Sequence, residues 1–209
     1  MQISAEDRAR RIKIILFDVD GVLTDGSIWM VPVSGASPSA SEDSHNISSA
    51  RMVEAKGFSA HDGTAISLAR IAGMKCGVIT KRISDTVALR ARDLKLEFVY
   101  MGQAYKMRAV REILDKEGAT LEEIAYVGDD VIDLPVMREC GLAIAVANAR
   151  EQVKAAAHFV TENRGGDGAG RDAIEFILKS KGQLEESIER YIDESNPLPA
   201  GMDIGKGGF

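Results

Sequence analysis

The chain has 209 residues, a length that suits one domain plus a tail or an insertion. It is 45% hydrophobic, ample for a sizeable core, with a formal net charge of −6 and a pI of about 5.2. That balance argues against a general nucleic-acid binder, which carries a basic face, and leaves room for a small local basic pocket.

The N-terminal MQISAEDRARRIK lacks the apolar stretch of a secretory signal, and no apolar run approaches the ~20 residues of a membrane span. The expectation is a soluble cytoplasmic protein with no membrane partner. The first strand is IKIILFDV (12–19). SIWMV and RMVEAKGF then read as the two arms of a hairpin flap. Between them VPVSGASPSASEDSHNISSAR (31–51), rich in Ser, Ala, Pro and Gly, reads as a long mobile loop insertion in which His45 is incidental. TAISLARIAGM (64–74) predicts a helix with Ile66, Ala69 and Ile71 on one face. Strand KCGVIT (75–80) leads to helix SDTVALRARDLKL (84–96), with Ser84 as its N-cap. Strand EFVYM (97–101), a helix over 103–117 and a capping-box pair at Thr120 and Glu123 follow. Strands EIAYVGD (123–129), LAIAVA (142–147) and HFVT (158–161) come next. GGDG (165–168) reads as a turn into a helix over 169–181. QLEESIERYI (183–192) predicts a last helix, and PLPAGMDIGKGGF a flexible tail.

The apolar runs lack polar alternation, as expected of strands covered on both faces. Their alternation with helices implies an α/β fold: a Rossmann-like parallel sheet flanked by helices, with right-handed crossovers. The expected organisation is a single domain over residues 1–182, with a helix and tail over 183–209. Cys76 and Cys140 belong to no C-x-x-C pair or His/Cys cluster and read as buried free thiols of a reducing compartment.

Ligands of open α/β sheets bind beyond the carboxyl ends of the strands. There the first strand supplies Asp18 and Asp20, the second Thr80 followed by Lys81 and Arg82, and the fourth Asp129 and Asp130, with Asp133 just beyond. Lys106 opens the helix after the third strand. Carboxylates so close repel each other and raise each other's pKa, which a divalent cation relieves. Oxygen-only ligation suits Mg²⁺ better than Zn²⁺. By the two-residue period Asp18 and Asp20 point to the same side of the strand, a pair able to serve as nucleophile and general acid/base. Lys106 and Thr80 would hold a phosphoryl group.

DVDGVLTDG, Thr80, Lys106 and GDDVID, in that order, resemble the four motifs of haloacid-dehalogenase-type phosphatases. DGVLTDGSIWM, the spaced Glu54, Lys56 and Phe58, AYVGDDVIDLPVM and GGDGAGRDAIEFIL resemble more closely the capless group of 3-deoxy-D-manno-octulosonate 8-phosphate phosphatases, over roughly residues 12–181. The resemblance implies Asp18 as nucleophile and Asp20 as acid/base. It implies Mg²⁺ on Asp18, Asp129 and the backbone carbonyl of Asp20. It implies phosphoryl contacts from Thr80 and Lys106, no large cap domain, and a homotetramer in which the hairpin and a neighbouring subunit cover the site.

For the sugar, His61-Asp62-Gly63 stands where the family has Arg-Asp-Gly. Arg82 and Arg90 match family arginines, and Lys81 replaces a glycine. His61, Asp62, Gly63, Arg82 and Arg90, with Asp20 and Lys106, are the expected substrate contacts, the cations meeting a sugar carboxylate. The expected partner is a small sugar phosphate and not a nucleic acid. Three alternatives stay open: a phosphatase for a nine-carbon, sialic-acid-like 9-phosphate, a regulatory subunit without turnover, and a receiver-like signalling domain. Against the last stands Asp20, whose acid–base function would shorten the life of a phospho-aspartate.

Overall fold

The computed structural model describes residues 3–32 and 52–195. Most of the insertion, His45 with it, and the tail after Ser195 lie outside the described residues. Six short strands form a parallel sheet: β1 (Ile14–Phe17), β4 (Lys75–Ile79), β5 (Phe98–Tyr100), β6 (Ile124–Gly128), β7 (Leu142–Ala145) and β8 (Phe159–Val160), in the order β5-β4-β1-β6-β7-β8. Every residue of β1, β6 and β7 is buried, which accounts for their unbroken apolar sequences. Between β1 and β4 in the chain, β2 (Trp29–Pro32) and β3 (Met52–Ala55) form a separate antiparallel ribbon, the expected flap, with Trp29 opposite Ala55 and Val31 opposite Val53.

Helices flank the sheet in two groups. In one, α1 (Ala5–Ala9), α2 (Ala60–Ile71), α7 (Ala169–Lys181) and α8 (Leu184–Ile192) pack together; in the other, α4 (Lys106–Glu117), α5 (Leu134–Met137) and α6 (Glu151–Ala156) follow one another. Helix α3 (Asp85–Asp93) starts behind Ser84, whose hydroxyl accepts from the Val87 amide as an N-cap does. The Thr120–Glu123 capping box is present and closes a single 3₁₀ turn before β6.

The helix expected over 64–74 begins earlier, at Ala60 behind its cap Ser59, and ends at Ile71. Ala65, Ile66, Leu68 and Ala69 are its buried apolar face, while Ile71 is half-buried at its last turn. His61, Asp62 and Gly63 therefore lie in the first turn of a helix. The helix expected from 103 starts at Lys106. The short helices α1, α5 and α6 are not legible in the sequence because two turns or fewer show no apolar period. α8 is joined to the body: Leu184 is buried, and Ile188 and Tyr191 pack on the core. Cys76 and Cys140 are both buried and unpaired, and burial pushes the Cys140 thiol up to about 12.

Candidate active site

Three neighbouring strands of the sheet, β4, β1 and β6, deliver their C-terminal ends to one place. β1 stops at Phe17 and Asp18 follows; β4 stops at Ile79 and Thr80 follows; β6 runs into Asp129. Past Asp18 the chain turns back on itself, the amides of Val22, Leu23 and Thr24 all donating to the Val19 carbonyl. Asp18 stays inside, 3% exposed, while Asp20 swings toward the flap.

Lys106 is the centre of the buried part. It is 2% exposed, and its Nζ lies 2.8 Å from Asp18 Oδ1, 2.7 Å from Asp133 Oδ1 and 3.0 Å from the Tyr126 hydroxyl. Tyr126 in turn donates to Asp133 Oδ1 at 2.8 Å, and Asp133 Oδ2 accepts from the amides of Asp129 and Asp130. Asp133 thus uses both oxygens to hold the loop after β6 and the lysine. Gly128 permits this, since a Cβ there would sit 2.6 Å from that of Asp133. Gly21, at φ +92°, brings the first loop so close to Asp129 that a Cβ would overlap its carboxylate.

Carboxylate oxygens of Asp18, Asp129 and Asp133 lie within 4.8 Å of one another. Burial, with Asp18 and Asp133 as the next contributors, pushes Asp129 up to about 7. Burial also raises Asp18, to about 6, against the opposing pull of Lys106. Asp129 Oδ1 is buried without a hydrogen-bond partner. Crowded hard oxygens with one left unsatisfied fit a small divalent cation such as Mg²⁺.

The half of the site that faces the flap is ionic. Lys56, just past β3, reaches down from the flap to Asp20 Oδ1 and lies 3.4 Å from Glu54. Arg82 pairs with Glu54 and approaches Asp20 Oδ2 at 3.9 Å. Thr80 is 1% exposed, and its hydroxyl accepts from the Arg82 amide at 3.3 Å. The sequence set Asp133 among the carboxylates of the crevice without a part of its own, and gave Tyr126 and Lys56 none. Two of them could have been found: Asp133 by its place in GDDVID, and Lys56 by its spacing from Glu54 and Phe58. Tyr126 looks like any core strand residue.

The expected sugar contacts are spread more widely. His61 is exposed. Asp62 is buried and turned to α7, where Oδ1 accepts from the Arg171 amide at 2.8 Å. Gly63 backs onto Arg90, whose guanidinium lies 5.7 Å over the Phe58 ring. Arg90 and Phe58 line a cavity of about 320 Å³ together with Lys56, Thr86 and Leu89. GGDG forms the turn ahead of α7, and here it locks the first loop: Gly165 donates to Asn148, Asn148 to the Gly21 carbonyl, and Gly166 to the Val22 carbonyl. A Cβ on Gly165 would overlap the Gly21 carbonyl.

A parallel sheet that gathers Asp18, Thr80, Lys106 and Asp129 at its carboxyl edge defines a haloacid dehalogenase-like hydrolase, and residues 78–171 match the family model of that description. The 3-deoxy-D-manno-octulosonate 8-phosphate phosphatase KdsC of Escherichia coli K12 is 34% identical over 180 residues, 86% of each chain. The phosphatase of that name from Yersinia pestis has a crystal structure that superposes with a TM-score of 0.76 at 34% identity, covering 87% of this chain and 88% of the other. Its Moraxella catarrhalis counterpart, solved with a magnesium ion, a phosphate ion and a KDO molecule, gives 0.77 at 32% identity over 90% and 97% of the two chains. The chain belongs to this family of 3-deoxy-D-manno-octulosonate 8-phosphate phosphatases.

Proposed function

We propose that the protein is a Mg²⁺-dependent phosphatase that hydrolyses 3-deoxy-D-manno-octulosonate 8-phosphate to the free sugar acid and phosphate. The observation that carries this is the buried Asp18–Lys106–Asp133 cluster beside Asp129, within a chain 34% identical to phosphatases of that name.

Asp18 is the nucleophile. Its oxygen attacks phosphorus, forming an aspartyl phosphate and releasing the sugar alcohol, which takes its proton from Asp20. Asp20, now a carboxylate, removes a proton from the water that hydrolyses the aspartyl phosphate, and both carboxyl groups return to their starting state. Lys106 and Thr80 hold the phosphoryl oxygens, and burial strengthens the Lys106 charge on them. Asp18, Asp129 and the Asp20 carbonyl, with Asp133 behind them, would hold Mg²⁺, which would supply neutralisation of phosphoryl charge. Among the expected sugar contacts, Arg82, Arg90 and His61 offer cationic or polar groups to the sugar carboxylate and hydroxyls. Asp62 and Gly63 shape that wall, one by fixing the start of α7 and the other by making room for Arg90.

Residues 1–182 form the catalytic unit, with 183–209 as an appended helix and tail. The enzyme works in the cytoplasm as a homotetramer; supporting assembly is the outer face of the flap, where Trp29, Val31 and Val53 are 63%, 44% and 51% exposed. The test is phosphate release from the eight-carbon sugar phosphate with and without Mg²⁺, beside a nine-carbon 9-phosphate and hexose phosphates. Fast turnover selective for the eight-carbon acid is expected. A preference for the nine-carbon acid would move the substrate, and no turnover on any of them would end the enzyme reading. Asp18→Asn is expected to abolish turnover.

A further inference from the structure

The flap is a thin ribbon in which all of β2 is exposed and β3 alternates between exposed and half-buried residues. Lys56 is the exception, because its side chain has no exposed surface at all. A lysine just past such a ribbon has a flexible stem and an easy route to water. Burying its ammonium is costly unless it is paired and hydrogen-bonded. Here Nζ takes Asp20 Oδ1 as its partner, with Glu54 Oε1 at 3.4 Å. Glu54 is itself fixed: its Oε1 accepts from Ser84 Oγ at 2.6 Å, its Oε2 meets Arg82 Nη2 at 2.5 Å, and its carbonyl accepts from Thr86 Oγ1 at 2.9 Å. The flap is thus fastened to the start of α3, and through Lys56 to Asp20. Arg82, the other cation near Asp20, stays 3.9 Å away and is 42% exposed, too loose a contact to orient a carboxylate.

We infer that Lys56 is a positioning residue for the acid–base carboxylate: the flap sets the orientation of Asp20 by holding Oδ1 and leaving Oδ2 for proton transfer. The inference rests on Asp20 being the acid–base group of the proposed reaction. In the first half-reaction the Asp20 carboxylic acid gives its proton to the bridging oxygen as the phosphorus–oxygen bond to the sugar breaks and the bond to Asp18 forms. In the second, the Asp20 carboxylate takes a proton from the water whose oxygen displaces Asp18 from phosphorus. Lys56 takes part in neither transfer and acts only through Asp20.

The test uses the full-length enzyme with Mg²⁺, the sugar phosphate and p-nitrophenyl phosphate. Lys56→Met is expected to lower kcat on the sugar phosphate by about 10²-fold, the lower range of a general acid–base contribution. Its KM is expected to stay within about threefold of wild type, as for a contact that matters in the transition state alone. Lys56→Arg is expected to recover most of the loss. With p-nitrophenyl phosphate the initial burst of p-nitrophenolate, whose departure needs no proton, should survive in Lys56→Met. Adding Lys56→Met to Asp20→Asn should cost nothing further, because both remove one function.

A raised KM with unchanged kcat would make Lys56 a sugar contact and overturn the inference. So would an equal loss in the presence and absence of Asp20. If Lys56→Met fails to fold, Lys56→Gln takes its place in the same cycle, and the same two outcomes overturn the inference. Wild-type protein inert on both substrates overturns the phosphatase reading and this inference together, whereas an active wild type matched by Lys56→Met overturns only the inference.

Discussion

Lys106 is a buried cation answered by two carboxylates, Asp18 and Asp133, and by the Tyr126 phenol. Breaking a buried pair from one side leaves uncompensated charge, at a cost of roughly 3–5 kcal/mol. Lys106→Met is therefore expected to lose turnover and also to unfold at markedly lower urea concentration than wild type, the unfolding measured in EDTA. Asp18 and Asp129 give a second expectation, and its sign follows from their raised values of about 6 and about 7. A carboxyl that binds its proton more tightly when folded contributes stability that is full below the unfolded value of about 4 and is lost as pH rises through 6 and 7. The metal-free protein should melt at falling temperature from about pH 5 to about pH 8. Mg²⁺ competes with those protons, so it should raise Tm more at about pH 8 than at about pH 5.5, which calorimetry with EDTA and with Mg²⁺ can check. Sequence revealed Asp18, Thr80, Lys106 and Asp129 because each follows or faces the end of an apolar run. It did not reveal the work of Tyr126 or Asp133, whose function lies in what they hold, and those partners meet only in the folded chain.

At the scale of elements, the six strands could be read from apolar runs, and their parallel pairing from the helices between them. Strand ends were less legible, because β1 is cut short by the turn at Val19, a competition between loop hydrogen bonds and the strand period. The reach of α2 into 60–63 was hidden because its first turn carries Asp62, Gly63 and Thr64, which look like loop residues. They serve instead a bond to the start of α7, a close approach to Arg90 and a side-chain bond to the Ala60 carbonyl. The loop after β1 depends on Asn148, which bonds Gly21 with one amide atom and Gly165 with the other, at 3.1 and 2.6 Å. Asn148→Ala removes both and leaves two backbone groups unsatisfied, at a cost of about 1–3 kcal/mol. The expected result is lower kcat and weaker Mg²⁺ binding in a protein that still melts cooperatively, read by steady-state assay and titration calorimetry. A variant as active as wild type would show that the loop holds itself.

Over the whole molecule, chemistry sits at the carboxyl edge of the sheet and apolar surface is concentrated on the ribbon beside it. Trp29 and Val53 face the same outer side of that ribbon, next to Ala55 and Val31, their cross-strand partners. An exposed apolar sheet face is a liability unless another chain covers it. If the proposed homotetramer is built on this face, Trp29→Asp with Val53→Asp lowers the mass read by light scattering, while Asp18, Lys106 and Asp133 keep their contacts. An unchanged mass would rule this face out as the interface. The sequence showed the ribbon's two arms, but not which face was outermost, since both faces carry apolar residues.

The bonds from Gly165 and Gly166 back to the first loop have a consequence for how the protein is made and how its gene can be broken. The ribosome completes DVDGVLTDG long before it adds Gly165 and Gly166, the glycines that brace that loop. A frameshift just after His158 would leave Asp18, Thr80, Lys106 and Asp129 in place, and a search by those four motifs would still count the product as an enzyme. It would release no phosphate, because the nucleophile's loop would lose its brace from Gly165 and Gly166 and the core would lose β8, α7 and α8.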